Sequence, residues 1–196
     1  LARRRILYTD HLQILQQLLR HPQLAVNQPN ENGANTLQMS ITQGHDEAVE
    51  LLLQHPDIDI NQKYSGLPPL IMAAYLNEGR IIAHLLARPE ILVNAQEEIN
   101  EETLLTYASY KGEVQLVENL LKREDLHVNH RNYKGETALM RTASRGGYFK
   151  EHAQVVHRLL EDPRLNLYET DFPGKTALTH AAVGGSLEIV RAIWAK

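Results

Sequence analysis

The sequence predicts an all-α protein: a solenoid of stacked helix–turn–helix repeats joined by extended loops. Two observations carry this expectation. The strings HPQLAVN (21–27), HPDIDIN (55–61), RPEILVN (88–94), REDLHVN (123–129) and DPRLNLY (162–168) are variants of one seven-residue phrase. Their last residues, Asn27, Asn61, Asn94, Asn129 and Tyr168, are spaced 34, 33, 35 and 39 apart. A second marker, Leu37, Leu70, Leu105, Leu139 and Leu178, keeps step at 33, 35, 34 and 39. A period in the thirties, held by two markers over nearly the whole chain, means stacked supersecondary units that bury their apolar sides against their neighbours.

The elements follow in order within one repeat. Over 33–67, Asn35 is a capping residue ahead of a short apolar helix, Thr36-Leu37-Gln38-Met39-Ser40-Ile41, here helix A. Gly44 can adopt the left-handed conformation that ends a helix. Ala48, Val49, Leu51, Leu52 and Leu53 recur at the spacing of a second helix, helix B. Pro56 stops it, because the residue before a proline avoids helical angles. Ile58-Asp59-Ile60-Asn61 leads into a polar loop, Gln62-Lys63-Tyr64-Ser65, and Gly66 opens the next round. The equivalent caps are Pro68, Thr103, Thr137 and Thr176, with Pro69 suited to a first helical position. The turns between helices carry Gly44, Gly112, Gly146 and Gly185, with Asn77 as a glycine substitute in the second repeat.

The strings GETALMRTASRGG (135–147) and GKTALTHAAVGG (174–185), each followed by a V-x-x-LL or V-x-x-IW helix, resemble the ankyrin repeat. That family's pattern has G-x-T-P-L-H near the first helix, G-H between helices, and an LL helix ending toward V-N. The resemblance covers nearly all of the chain and implies one ankyrin-type domain over 1–196. It has repeats starting near 33, 66, 101, 135 and 174 and a partial N-terminal cap repeat over 1–32. No repeat has the full T-P-L-H string, and Pro or Glu replaces the usual glycine after helix B; these departures bear on stability more than on fold.

The ends carry two open readings. Arg3 falls where other repeats have the helix-A leucine, and Arg4 and Arg5 follow it. A solvated cap explains the three arginines, with a localisation signal or phosphate patch as the alternative. Trp194 occupies a leucine position with no following repeat: either it shields the last core face or further repeats belong beyond it. The chain opens with Leu1 and stops inside an apparent helix at Lys196, as expected of part of a longer protein.

Composition narrows function. The net charge of −4 gives no overall pull toward nucleic acid or an anionic membrane. The absence of cysteine excludes disulfides and thiol chemistry. No apolar run reaches the roughly 18 residues of a membrane span. Gly174-Lys175-Thr176 lacks the earlier glycine and strand of a phosphate-binding loop. His11 and His45, like His21 and His55, lie 34 apart as equivalent points of neighbouring repeats. Helices packed about 8–10 Å apart cannot bring such pairs onto one zinc ion, whose ligands sit about 2 Å away. The expectation is a non-enzymatic protein with no catalytic residue, cofactor, metal, nucleic acid, membrane insertion or small-molecule substrate, and a cytoplasmic location.

The resemblance implies a working surface at the finger tips and the end of the inner helix. The tips hold Glu31, Tyr64, Ile99, Tyr133 and Phe172, with Glu101 standing in for the following glycine in the third repeat. The inner-helix position holds Tyr8, Thr42, Tyr75, Tyr110, Ser144 and Val183. Five of the ten Tyr and Phe residues fall on these solvent-facing sites in repeats two to five, with Tyr8 aligned in the cap. Rigid aromatics with a polar tip suit an interface, while packing against the next finger is the structural alternative. Glu97, Glu98, Glu101 and Glu102 form an expected acidic rim; Lys111, Arg131, Lys134 and Arg145 form a basic one. Such mixed charge suits a protein partner, not a phosphate track. About five extra residues near Gly147-Tyr148-Phe149-Lys150-Glu151 are either functional or neutral. The resulting expectation is a module that binds a protein partner through Tyr64, Tyr75, Ile99, Tyr110, Lys111, Arg131, Tyr133, Lys134, Arg145 and Phe172. The alternative is the targeting or substrate-recruiting part of a larger multidomain enzyme, such as a secreted bacterial effector.

Overall fold

Helices account for all regular structure among the described residues, which in this computed structural model are 11–146 and 150–196. Tyr8, Arg3, Arg4, Arg5, Gly147, Tyr148 and Phe149 lie outside them. Two compact units are present, Leu1–Leu92 and Val93–Lys196. The first contains α1 (11–18), α2 (Thr36–Thr42), α3 (Asp46–Leu53), α4 (Pro69–Tyr75) and α5 (Gly79–Leu86). The second contains α6 (Leu104–Lys111), α7 (Val114–Leu121), α8 (Ala138–Ala143), α9 (Lys150–Glu161), α10 (Ala177–Val183) and α11 (Leu187–Trp194).

Each helix A starts where its capping residue stands. Asn35 accepts from the Gln38 amide while the Gln38 side chain accepts from the Asn35 amide, a reciprocal box that satisfies two free donors. Thr103 and Thr106 do the same, and Thr137 and Thr176 each accept from the amide three residues on. Pro68 makes no side-chain bond and Pro69 occupies the first turn. The turns use the left-handed region at Gly44, Asn77, Gly112 and Gly185, so the asparagine does take the glycine's place. Gly146 does not: its φ lies outside that region. Its small size serves packing instead, because a Cβ there would collide with Ile189 Cδ1.

Helix A of one repeat packs on its own helix B and on the next helix A: α2 on α3 and α4, α6 on α7 and α8, α8 on α9 and α10. The helix-A leucines Leu37, Leu70, Leu105 and Leu139 are buried in those contacts. Leu178, in the last repeat, is only half-buried. Trp194 is 78% exposed, so it does not shield that face as one of the two sequence readings had it.

The seven-residue phrase has a specific physical role. Its terminal asparagine reaches across to the phrase of the following repeat and makes two main-chain hydrogen bonds. Asn27 donates to Asp57 O at 2.6 Å and accepts from the Asp59 amide at 2.8 Å. Asn61 donates to Glu90 O at 2.9 Å and accepts from the Leu92 amide at 2.9 Å. In the second compact unit Asn94 clamps Asp125 O and the His127 amide, at 2.6 and 2.8 Å. Asn129 clamps Arg164 O and the Asn166 amide, at 2.7 and 2.8 Å. A carboxamide offers both a donor and an acceptor, which is why this position reads Asn. Tyr168, at the end of the fifth phrase, carries no carboxamide and is 86% exposed.

The part of the long fourth repeat that is described becomes helix. The outer helix α9 has 12 residues where α3, α5, α7 and α11 have 8. The added turn buries His152, whose ring Nε2 lies 3.0 Å from Tyr110 O. Arg164 then ties the fifth phrase to the fourth: its guanidinium donates to Leu121 O, at the end of α7, and to Arg123 O, at the start of the fourth phrase.

Two stability predictions follow from these clamps and turns. Asn94→Ala and Asn129→Ala should each lower the unfolding free energy by about 1–2 kcal/mol, the net worth of two hydrogen bonds. Tyr168→Ala should leave it unchanged. Urea denaturation reads all three, and equal midpoints for the asparagine variants and the parent would contradict the clamp. Glu101 has φ +54°, matching +84°, +77°, +78° and +83° at Gly33, Gly66, Gly135 and Gly174. Glu101→Gly should therefore raise stability by about 0.5–1 kcal/mol, as strain in a left-handed non-glycine residue is relieved.

Candidate protein-binding face

The finger loops are built by one device with two variants. In the first, a side-chain oxygen collects the amides of the turn. Asn30 accepts from the Asn32 and Ala34 amides, and Asn132 from those of Lys134 and Glu136. Asp171 accepts from the Lys175 amide. Glu97 accepts from Ile99, Asn100 and Glu102; its longer side chain spans a finger one residue longer than most. In the second variant Lys63 holds the position and supplies no such oxygen. There Tyr64 and Leu67 exchange two main-chain bonds of 3.0 Å across Ser65 and Gly66. Both central residues have positive φ, +49° and +77°, as a primed type I turn requires.

In the second compact unit the finger tips are joined by their main chains. The Tyr133 amide donates to Asn100 O and the Phe172 amide to Lys134 O, each at 3.0 Å. Ile99, Tyr133 and Phe172 therefore follow one another tip by tip, with relative exposures of 81%, 45% and 71%. Cations sit against the rings: Arg131 lies 5.4 Å from the Phe172 centroid and Lys134 5.3 Å from that of Tyr133. Arg131 also donates to Gly135 O at 3.2 Å and Thr170 O at 2.8 Å, so it braces two fingers. Lys111, at the end of α6, is exposed and lies 5.9 Å from the Tyr107 ring.

Tyr110 departs from the solvent-facing expectation. It is half-buried between two guanidinium groups, Arg141 at 4.1 Å and Arg145 at 4.6 Å, and its hydroxyl accepts from Arg145 at 3.2 Å. Arg141 in turn pairs with Glu102 at 2.7 Å and Glu136 at 3.5 Å. Burial pushes the Glu102 carboxyl above the usual carboxylate range against the pull of Arg141. In the first compact unit Tyr64 is half-buried in its turn and Tyr75 is 39% exposed at the end of α4.

The acidic rim is therefore smaller than expected. Glu97 is 1% and Glu102 5% exposed; one holds the finger turn and the other holds Arg141. Only Glu98 and Glu101 of that group are exposed. The sequence reading missed Arg141 because a cation on a short inner helix looks like solvated surface. The available signal was its register, two residues after the helix-A leucine, where Met39, Met72, Tyr107 and His180 stand in the other repeats. His180 likewise turns to a finger, its ring Nε2 lying 2.9 Å from Asp171 Oδ2.

Among the described residues no group of three or more His, Asp or Glu side chains could hold a metal ion. None of the described helices is long and apolar enough to cross a membrane.

Asp171 supplies a pH test of the fifth finger. Burial pushes its carboxyl up, but the Lys175 amide and the His180 side chain outweigh that and leave it below the usual range. Its folded value being depressed, Asp171 contributes stability that is present above its ordinary value of 3.8 and lost as pH falls through the folded value. Asp171→Asn keeps the amide-accepting oxygen, as Asn132 shows. Relative to that variant the parent should be more stable at pH 5–6 and lose the advantage on acidification, in urea titrations across the acid range; a constant difference would refute the assignment.

A family profile described as ankyrin repeats in three copies matches residues 5–97, 70–166 and 104–196. No curated protein matches the chain. Among solved structures, an ankyrin repeat domain from Acinetobacter baumannii AYE superposes with a TM-score of 0.84 at 23% identity, covering 95% of this chain and 93% of that one. A further ankyrin repeat protein gives 0.82 at 23% identity, over 94% and 92%. At that identity the likeness speaks for the fold alone. The matched residues span the chain, which belongs to the ankyrin-repeat family, a family of general protein–protein interaction modules.

Proposed function

We propose that the chain is a non-enzymatic binding module that recognises a protein segment through its finger tips and inner-helix ends. The observation that carries this reading is the row Ile99, Tyr133 and Phe172: three large apolar side chains exposed at one register on a main-chain-linked edge. A fold with a buried leucine core gives no internal reason to expose them, and clustered rigid aromatics are the usual carriers of interface energy. Arg131 and Lys134 lie against the rings of the row, and Lys111 and Arg145, beside Tyr107 and Tyr110 at the inner-helix ends, are proposed as further contacts. Tyr64 and Tyr75 hold the equivalent register in the first compact unit and are proposed as contacts of the same kind. The repeat period runs from Asn61 to Asn94 without a break, which supports reading 1–196 as one ankyrin domain.

Tyr133 and Phe172 are the discriminating pair, because both rings are exposed, whereas truncating Tyr110 would also release Arg141 and Arg145. Tyr133→Ala with Phe172→Ala should remove captured proteins from a cell-lysate pull-down while the melting temperature moves by no more than about 2 °C. Retention of every captured protein by the double variant would defeat the proposal.

A further inference from the structure

We infer that the segment bound on the second compact unit is acidic and extended. The inference rests on the binding-module reading above and adds the chemistry of the partner. Its basis is the difference between the charge written in the sequence and the charge the folded face presents.

Two of the four glutamates of the third finger are used internally. Glu97 is spent on three turn amides, and Glu102 on Arg141, which also holds Glu136. Elsewhere in this unit, acids near the helix-B side meet cations there: Glu118 and Glu161 pair with Arg158, Asp125 with Arg123, and Asp162 with Arg164. The cations of the face are treated differently. Among the described residues, Lys111, Arg131 and Lys134 take part in no ion pair within 4 Å. Each lies against an aromatic ring, at 5.9, 5.4 and 5.3 Å; Lys111 also feels the charge of Glu113, and Arg131 is braced on two main-chain carbonyls. Arg145 stands at the register of Lys111 one repeat later, stacked on Tyr110. An aromatic face holds a cation in place without neutralising it, so Lys111, Arg131 and Lys134 keep their charge for a ligand. Glu98 and Glu101 are the exposed acids of the third finger, and they lie at one end of the row.

Spacing sets the conformation. Equivalent points of stacked repeats lie about 10 Å apart, which is about three residues of extended chain. A segment with Asp or Glu three positions apart would place carboxylates beside Lys111 and Arg145, the equivalent points of neighbouring repeats, and further acids would meet Arg131 and Lys134 where these lie against Phe172 and Tyr133. A nucleic acid is disfavoured because a phosphate track needs a longer continuous positive stripe, and Glu98 and Glu101 close this one at the third finger.

The test is selection of random peptides of about 12 residues, long enough to cross the fingers in extended form, against the whole chain. The selected peptides are then titrated against the parent, Lys111→Glu with Lys134→Glu, and Tyr133→Ala with Phe172→Ala. Lys111 and Lys134 are exposed and their ammonium groups make no hydrogen bond that the fold needs, and circular dichroism melts verify that each variant folds. The inference expects peptides rich in Asp and Glu, whose affinity falls at least about tenfold on charge reversal and again as salt rises from about 0.05 to about 0.5 M. Neutral or basic peptides, acidic peptides indifferent to the reversal, an empty selection, or equal affinity for a mixed-sequence single-stranded DNA would overturn it. Peptides lost on the aromatic changes but not on charge reversal would leave the binding face standing and remove only the acidic partner. Peptides indifferent to the aromatic changes would remove the face itself.

Discussion

Within each compact unit of this protein, neighbouring repeats are held together by a carboxamide that grips two main-chain groups at once. A solenoid has no long-range contacts to fix its register, so its order depends on what neighbours share. Buried leucines supply most of the attraction, but apolar packing is non-directional and tolerates sliding. The asparagine clamp is directional. Donor and acceptor must both be met, at 2.6–2.9 Å, in the phrase that directly precedes the next finger. The clamp thereby sets where each finger begins, and with it where the side chains at the finger tip stand.

From there the binding face follows in steps. A turn oxygen from Asn30, Glu97, Asn132 or Asp171 shapes the finger, and main-chain bonds tie the third finger to the fourth and the fourth to the fifth. Ile99, Tyr133 and Phe172 are exposed as a consequence of that backbone, not of their own packing. Beneath them the buried Glu102–Arg141 pair locks the inner helix to the third finger and fixes one side of Tyr110. Burying such a pair is costly unless each charge is well matched, and removing either partner would strand the other. Arg141 is thus structural, whereas Lys111 and Lys134 are exposed.

Much of this was legible in the residues. The period, the caps Asn35, Thr103, Thr137 and Thr176, and the left-handed roles of Asn77 and Glu101 all follow from local rules, because caps and turns depend on a few adjacent residues. The phrase-ending asparagines were visible as a marker, but their clamp was not. It joins residues about thirty apart, and no single repeat contains both partners. The acidic rim failed in part for the same reason, since Glu102 meets Arg141 across a repeat, while Glu97 turns back on its own loop. Glu97 and Glu102 look like surface in sequence, and only the fold shows that one fills a turn and the other meets Arg141 from the next repeat. Gly146 was read as a turn residue and is instead small because Ile189 occupies the space beside it.

The most direct measurement of the central claim is native-state amide hydrogen exchange at Asp59, Leu92, His127 and Asn166. All four are exposed residues, and each amide donates to the asparagine of the preceding phrase. The account predicts that these four exchange together and far more slowly than open loop amides, as donors held by a cooperative inter-repeat bond. Exchange at the rate of an unstructured loop would mean that the asparagines decorate the repeats without holding them together.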